Sequence, residues 1–501
     1  MRRAAGAVGW AAFALLVVSA PAAFGQGVNL TARNVYHAYE LQLDPGGNRD
    51  RIRDINRFYQ TLEASGWGLV PGQRVNAVLS MRYRTDFGTG FNRDTPNGRG
   101  IPAVDDRNDL QMLYAYVEWT DAFDLLDLRL GRQVRIDDLA WASFDGVEVT
   151  GHLYKDGDDY LDVSLFAGVP VQIDVLFTSE TFLGDGIEVY DGSGFLSGLT
   201  FGGNTALKLM SNFTASAAYR QTVVFRDDAI ESFAGDDAAA AASNGKIGLQ
   251  ESLLGASIGY TIRPIDVNLY GHFNWDLLIG SLEQARAGGA YHPMRGFTVR
   301  AEYLRSRPRF AGDSIFNYFN LFAYDRARTE ASWQILESLT LDAGYFFQKF
   351  NGGAKGPKSV DDAGNEGAEF PGSDAVHGPS AAIRYRHPRF TVGGSFEAST
   401  NFGGDYAYGG NYRLLQLFGD VRFLGGRFVT DARLSVTTFQ NDWIEDIDNG
   451  VVDEVRTSLI GSIGARAQIL DFLSWRVLLA RNINSYVAGS YRVFSELAVR
   501  Y

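Results

Sequence analysis

From residue 28 to residue 501 the sequence runs as short segments in which apolar and polar residues alternate, joined by connections that are by turns short and long. A period of two is the signature of a strand with one apolar and one polar face. The short connections, among them Ser211-Asn212, Arg263-Pro264, His387-Pro388-Arg389, Gly425-Gly426 and Leu470-Asp471, use residues suited to tight turns. The long ones, 89–108, 170–198, 227–248, 351–378 and 441–453, are rich in Gly, Asp, Asn, Pro and Ala. A soluble β-array has no reason to sort its loops this way, whereas a membrane barrel keeps short turns on one rim and long loops on the other. The expectation is an all-β chain: a single transmembrane antiparallel β-barrel of outer-membrane type, with an even strand number of about 18 to 22. About 22 segments qualify as strands.

The first residues are of another kind. Arg2 and Arg3 precede an apolar run at 9–20, and small residues follow at 20–25. That is the layout of a secretion signal, and the run is short for a membrane helix. The chain therefore divides into a signal peptide at 1–25 and an outer-membrane β-barrel domain at 26–501, placed in the outer membrane of a Gram-negative cell after cleavage. No later stretch has about 18 apolar residues in a row. There is no cysteine, which excludes thiolate chemistry and a lipoprotein anchor. The net charge is −13, and residues 1–25 hold two bases and no acids, so the remainder is more acidic still. Nucleic acid is a poor partner for such a chain.

Parity assigns faces strand by strand. In 126–136 the polar set is Asp127, Arg129, Gln133 and Arg135, opposite Leu126, Leu128, Leu130 and Val134. Further along, the polar sets hold Asp420 and Arg422, Asp431 and Arg433, and Arg476. The same reading puts Arg82, Arg84, Arg300, Glu302, Arg326, Arg328, Glu330, Arg384, Arg386 and Arg466 on the inner, solute-lining face. The inner set is rich in arginine, while the long loops hold many acids. Charge in a narrow low-dielectric passage is focused, so such a lumen selects for anions despite the negative total. Acids such as Asp127, Glu302, Glu330, Asp420 and Asp431 are expected to share the arginines. The competing explanation is a wall ladder in which Arg and Asp or Glu merely satisfy each other across strands. Trp119, Trp141, Trp275, Trp333, Trp443 and Trp475 read as interfacial girdle residues.

Residues 125–149, LLDLRLGRQVRIDDLAWASFDGVEV, contain an LRLGRQ strand and an FDGV strand, preceded at 109–119 by DLQMLYAYVEW. Gly131, Arg132, Gln133, Phe144, Asp145 and Gly146 carry a resemblance to the alginate-export family of outer-membrane barrels. The motif covers about a tenth of the chain; beyond it only the barrel rhythm is shared. The resemblance implies an exit pore of about 18 strands for an anionic polysaccharide, with periplasmic secretion partners. Arg132 falls on the apolar parity, which places it at the membrane rim or in a bulge. The last strand, with one mostly apolar face and a terminal Tyr501, also resembles the C-terminal signal of outer-membrane barrels.

Chemistry is sparse. The six histidines are scattered, without metal-ligand spacing, and the strand residues His152 and His272 have no recognisable partner in the sequence. There is no nucleophile elbow and no phosphate-cradling loop. A receptor with an N-terminal plug fits poorly, because strands begin almost at Val28. The chain reads as no enzyme, with no cofactor and no metal. Three functions remain: export of an anionic polysaccharide through an Arg-rich lumen, passive passage of small anionic or neutral solutes, and a non-conducting adhesin or structural barrel. Outer-membrane lipids are partners in each.

Overall fold

The computed structural model describes residues 27–42, 52–86, 108–171, 198–225, 247–278, 280–307, 323–351, 375–402, 411–441, 445–446, 450–451, 454–484 and 490–500. The signal segment and most of the long connections lie outside them. The strands are β1 (Gly27–Gln42), β2 (Ile52–Trp67), β3 (Arg74–Asp86), β4 (Asn108–Ala122), β5 (Leu126–Asp137), β6 (Ala140–Asp156), β7 (Asp159–Pro170) and β8 (Gly198–Leu209). They continue as β9 (Phe213–Phe225), β10 (Ile247–Ile262), β11 (Val267–Asp276), β12 (Ser281–Met294), β13 (Phe297–Ser306), β14 (Ala323–Leu336), β15 (Leu339–Asn351) and β16 (Ala375–His387). The remainder are β17 (Phe390–Phe402), β18 (Asn411–Phe423), β19 (Phe428–Asn441), β20 (Glu445–Asp446), β21 (Gly450–Val451), β22 (Glu454–Leu470), β23 (Leu473–Asn484) and β24 (Ser490–Arg500).

All strands except β20 and β21, which pair only with each other, form one sheet of 22 strands. Each pairs antiparallel with its neighbours in sequence, and β1 closes on β24 from Thr31↔Arg500 to Tyr39↔Arg492. The sheet is therefore a closed barrel with no free edge. The number of barrel strands agrees with the count of about 22 alternating segments in the sequence. The count is 22, not the 18 or so that the family resemblance implies.

Alternation sets the two faces. On β18, Leu415, Leu417 and Val421 stand exposed on the outer surface, where hydrocarbon covers such side chains. Gln416, Asp420 and Arg422 take the opposite parity and meet Ser435, Asp431 and Val429 of β19 in register. Barrel strands of 10 to 17 residues exceed the roughly 9–11 needed to cross a bilayer at a tilt. No helix among the described residues is long and apolar enough to cross a membrane.

The rims differ as expected, with three exceptions. One rim carries only short turns, such as 123–125, 157–158, 295–296 and 388–389. On the other rim most connections are long, but β5–β6 is only Asp138-Leu139, β11–β12 only 277–280 and β23–β24 only 485–489. The barrel interior is polar, and the one cluster of buried apolar side chains among the described residues is Leu139, Ala218 and Leu253. That cluster marks where the β5–β6 connection has gone.

Candidate functional site: a hairpin folded into the lumen

The motif strands β5 and β6 do not stay in the wall. β4 continues to Asn108 against β3, but its pairing with β5 stops at Ala115↔Arg132. β6 pairs with β7 only as far as Phe144↔Pro170. The Ser143 carbonyl still accepts from the Val171 backbone N–H at 2.9 Å, and beyond it the two strands continue as a ladder of their own, Val134↔Ser143 to Asp137↔Ala140. Their tip meets lumen-facing side chains of β8 to β11. Arg135 Nη2 donates to Asn204 Oδ1 at 2.5 Å. Arg220 Nη2 donates to the Leu139 carbonyl at 3.2 Å, and the Ser216 hydroxyl donates to Asp138. Asp138 Oδ1 lies 3.9 Å from His272 Nδ1. Leu139 is 2% exposed between Ala218 and Leu253. The hairpin is a chord across the lumen, rooted in one part of the wall and seated on another.

The motif residues build the bend. Gly131 has φ of 125°, a backbone conformation that L side chains rarely adopt. A Cβ there would run into the carbonyl oxygen of Ala115, and one on Gly146, its register partner, into that of Ala167. Strands approach this closely only where side chains are absent. Arg132 is neither at a rim nor in a bulge: the β4–β5 register shift lies between Trp119 and Ala122. It sits on the outer side of the bend, with Nε and Nη2 each 2.7 Å from the Asp145 carboxylate and Nη1 donating to the Met112 carbonyl at 3.0 Å. The guanidinium thus caps the edge that β4 exposes where β5 departs. Inside the bend, Gln133 Nε2 donates to the Gly146 carbonyl at 3.2 Å. Phe144, fully buried, stacks on Phe166 with ring centroids 5.1 Å apart.

The charges on this side of the barrel are internally matched. Arg135 is 7% exposed and lies 4.7 Å over the Phe166 ring. It pairs with Asp137 at 2.9 Å and with Glu148. Arg129 pairs with Glu118 at 2.6 Å and Glu148 at 3.4 Å. Arg220 pairs with Glu251 at 2.9 Å, and Arg82 Nε donates to Gln111 at 3.2 Å. Arg84 lies on the same face, two residues on. Buried ions so matched hold a geometry, because removing one partner leaves an uncompensated charge.

The other half of the wall is different. Arg286 and Tyr270 both bond Glu302 at 2.6 Å, Arg328 pairs with Glu330, and Arg422 pairs with Asp420 at 3.2 Å. Among the described residues no carboxylate lies within ion-pair distance of Arg300, Arg326, Arg384, Arg386, Arg433, Arg466 or Arg476. Arg466 and Arg476 stand directly opposite each other in register, and Arg476 faces Glu496 on its other side; like charges so placed repel unless an opposite charge is near. Asp431 shares no arginine; it faces Asp420 across the ladder.

Three further expectations change. Asp127 serves no arginine: its Oδ1 accepts from the Asp121 backbone N–H at 2.7 Å, and its Oδ2 lies 3.4 Å from His152 Nε2. His152 does have partners, since its Nδ1 meets Asp162 Oδ1 at 2.8 Å. Asp121, Asp127 and His152 lie close enough to hold a metal ion, but Arg74 already pairs with Asp121 and we assign none there. Trp141 is no girdle residue; it opposes Ile136 on the free face of the hairpin. The hairpin was invisible to parity, which is blind to bends. The available signals were the paired glycines Gly131 and Gly146 and the two-residue connection on a rim of long ones.

No protein-family model and no curated protein matches this sequence. Solved structures do. The FrpB iron transporter from Neisseria meningitidis superposes with a TM-score of 0.53 at 13% identity, covering 96% of this chain and 82% of that one. The outer-membrane protein opdK from Pseudomonas aeruginosa gives 0.40 at 11%, covering 95% and 98%. OccAB4 from Acinetobacter baumannii gives 0.41 at 9%, with the same coverages. The likeness to FrpB, at 13% identity, is one of fold alone, and the fold is that of a closed outer-membrane β-barrel.

Proposed function

We propose that the protein is a constricted outer-membrane channel that favours anions. The observation that carries this is the set of guanidiniums on β13 to β23 that, among the described residues, have no carboxylate within ion-pair distance, on the wall away from the hairpin. Each such group adds positive potential where water is scarce and the walls are of low dielectric, and their fields add. The hairpin narrows the lumen, so a passing solute is brought close to that wall. Passive passage of small anions needs nothing more, and catalysis has no part in it.

A second reading, export of an anionic polysaccharide, is favoured by one feature: the unpaired arginines are spread over many strands. A moving polymer needs repeated weak sites rather than one tight one. Periplasmic secretion partners belong to this reading, whereas cleavage of the signal segment belongs to either. Reversal potential in a salt gradient across a planar bilayer tests the channel. Anion preference is expected, falling when Arg384, Arg386 and Arg466 are replaced by Gln. Block of the small-ion current by an acidic oligosaccharide would favour export; its absence would leave the passive channel. Cation preference would refute both, and a barrel that conducts nothing would be an adhesin or a structural protein.

A further inference from the structure

Between the hairpin tip and the wall of β9 to β12 lies a pocket, open on one side, of about 570 Å3, within the range of small-ligand sites, roughly 300–1,000 Å3. Its chemistry differs from that of the arginine wall. Asn274 of β11 and Gln284 of β12 are register partners, so their carboxamides stand side by side. His272 lies two residues along on the same face, Thr214 comes from β9, and Asp137 and Asp138 line the site from the hairpin. These groups have hydrogen-bonding capacity to spare. Asn274 Oδ1 is buried with no partner. Among the described residues nothing bonds the Gln284 carboxamide or the Thr214 hydroxyl. His272 Nδ1 is 3.9 Å from Asp138, too far for a hydrogen bond. A buried acceptor left empty costs about 1–3 kcal/mol, so a polar occupant belongs here.

The cavity also carries little net positive charge. Its one arginine, Arg286, is bound to Glu302, while Asp138 would repel a carboxylate. What remains is a set of carboxamide, hydroxyl and imidazole groups, each able to match a group that both donates and accepts. We propose that this cavity binds an uncharged polyhydroxylated solute of the size of a mono- or disaccharide. The site is separate from the anion path, and binding does not require that the lumen conduct.

Calorimetric titration of the purified full-length barrel in detergent tests this, with glucose, maltose, trehalose and sorbitol as probes and glucuronate as the charged comparator. At least one neutral probe should bind with a Kd of about 1 mM or tighter, a free energy of roughly −4 kcal/mol, and glucuronate more weakly. N274L and Q284L should each weaken binding about tenfold, whereas R384Q should leave it unchanged. Because an apolar side chain at either position can disturb assembly, the near-isosteric T214V serves as a second variant and should weaken binding several-fold. Absence of heat with all four neutral probes would overturn the proposal and leave a cavity filled by water. So would tighter binding of glucuronate, or sugar binding indifferent to all three cavity substitutions.

Discussion

Leu139 is the apolar anchor of the hairpin, and its removal should release the tip. A leucine buried to 2% exposure against Ala218 and Leu253 loses about 2–5 kcal/mol on truncation to alanine. The tip lacks ladder hydrogen bonds to β4 and β7, so that loss falls on docking more than on the barrel wall. At 1.4 kcal/mol per factor of ten, even the lower figure raises the undocked population about 30-fold. L139A should therefore conduct more than the parent in a planar bilayer, with added current noise. The chain contains no cysteine, so a lock can be introduced cleanly. A Cβ on Gly255 would lie 3.4 Å from Asp138 Cβ, close to the roughly 3.5–4.5 Å of a disulfide. The crowding atoms there, Leu139 Cδ2 and Asn274 Oδ1, are side-chain ends that can give way. Oxidised D138C/G255C should hold the tip down and give quiet, low conductance, and a reductant should reverse this. If L139A conducts like the parent, and reduction of the disulfide changes nothing, the docked hairpin does not set the width of the passage.

Three other outcomes follow from the same contacts. E148Q leaves Arg135 and Arg129 each short of a carboxylate, one of them nearly buried, and should cost about 3–5 kcal/mol, read as a lower denaturant midpoint in detergent. Replacing Gly131 by valine puts a β-branched residue at a φ of 125° and against the Ala115 carbonyl; folded barrel, scored by heat-modifiable migration, should fall sharply, and normal yield would show that the bend is not fixed there. Cysteines at Arg384 and Arg386 should react with a membrane-impermeant thiol reagent while those at Ile383 and Tyr385 should not, since adjacent residues face opposite sides.

Most of the wall was legible because a barrel strand states its two faces in its own sequence. Arg384 and Arg386, or Leu415 and Leu417, can be sorted by position alone, since nothing but the pleat decides where they point. The hairpin was not legible for the same reason. Gln133, Arg135 and Asp137 keep the parity of Arg129, and the sequence contains no term for the turn of the whole ladder out of the wall. What marks that turn is a backbone state at Gly131 and a close approach at Gly146, and many glycines occur in strands without either. Charge pairing was legible only in part. Arg328 and Glu330 sit two apart on one strand, whereas Arg135 reaches Asn204 across a gap of 69 residues, a contact that exists only once the hairpin has crossed. The partners of His152, on β5 and β7, depend likewise on register.

The seam between β1 and β24 has a consequence for how the molecule comes into being. It joins residues 31–39 to residues 492–500, so it is among the contacts most distant along the chain. Such pairing is slow, because nearly the whole polymer must be gathered before it is rewarded. Until then β1 and β24 are both open edges, which hydrocarbon cannot satisfy and which invite pairing with other chains. Substitutions along the seam, at Leu497 or Val499 for instance, should therefore act on the yield and rate of assembly far more than on the finished pore.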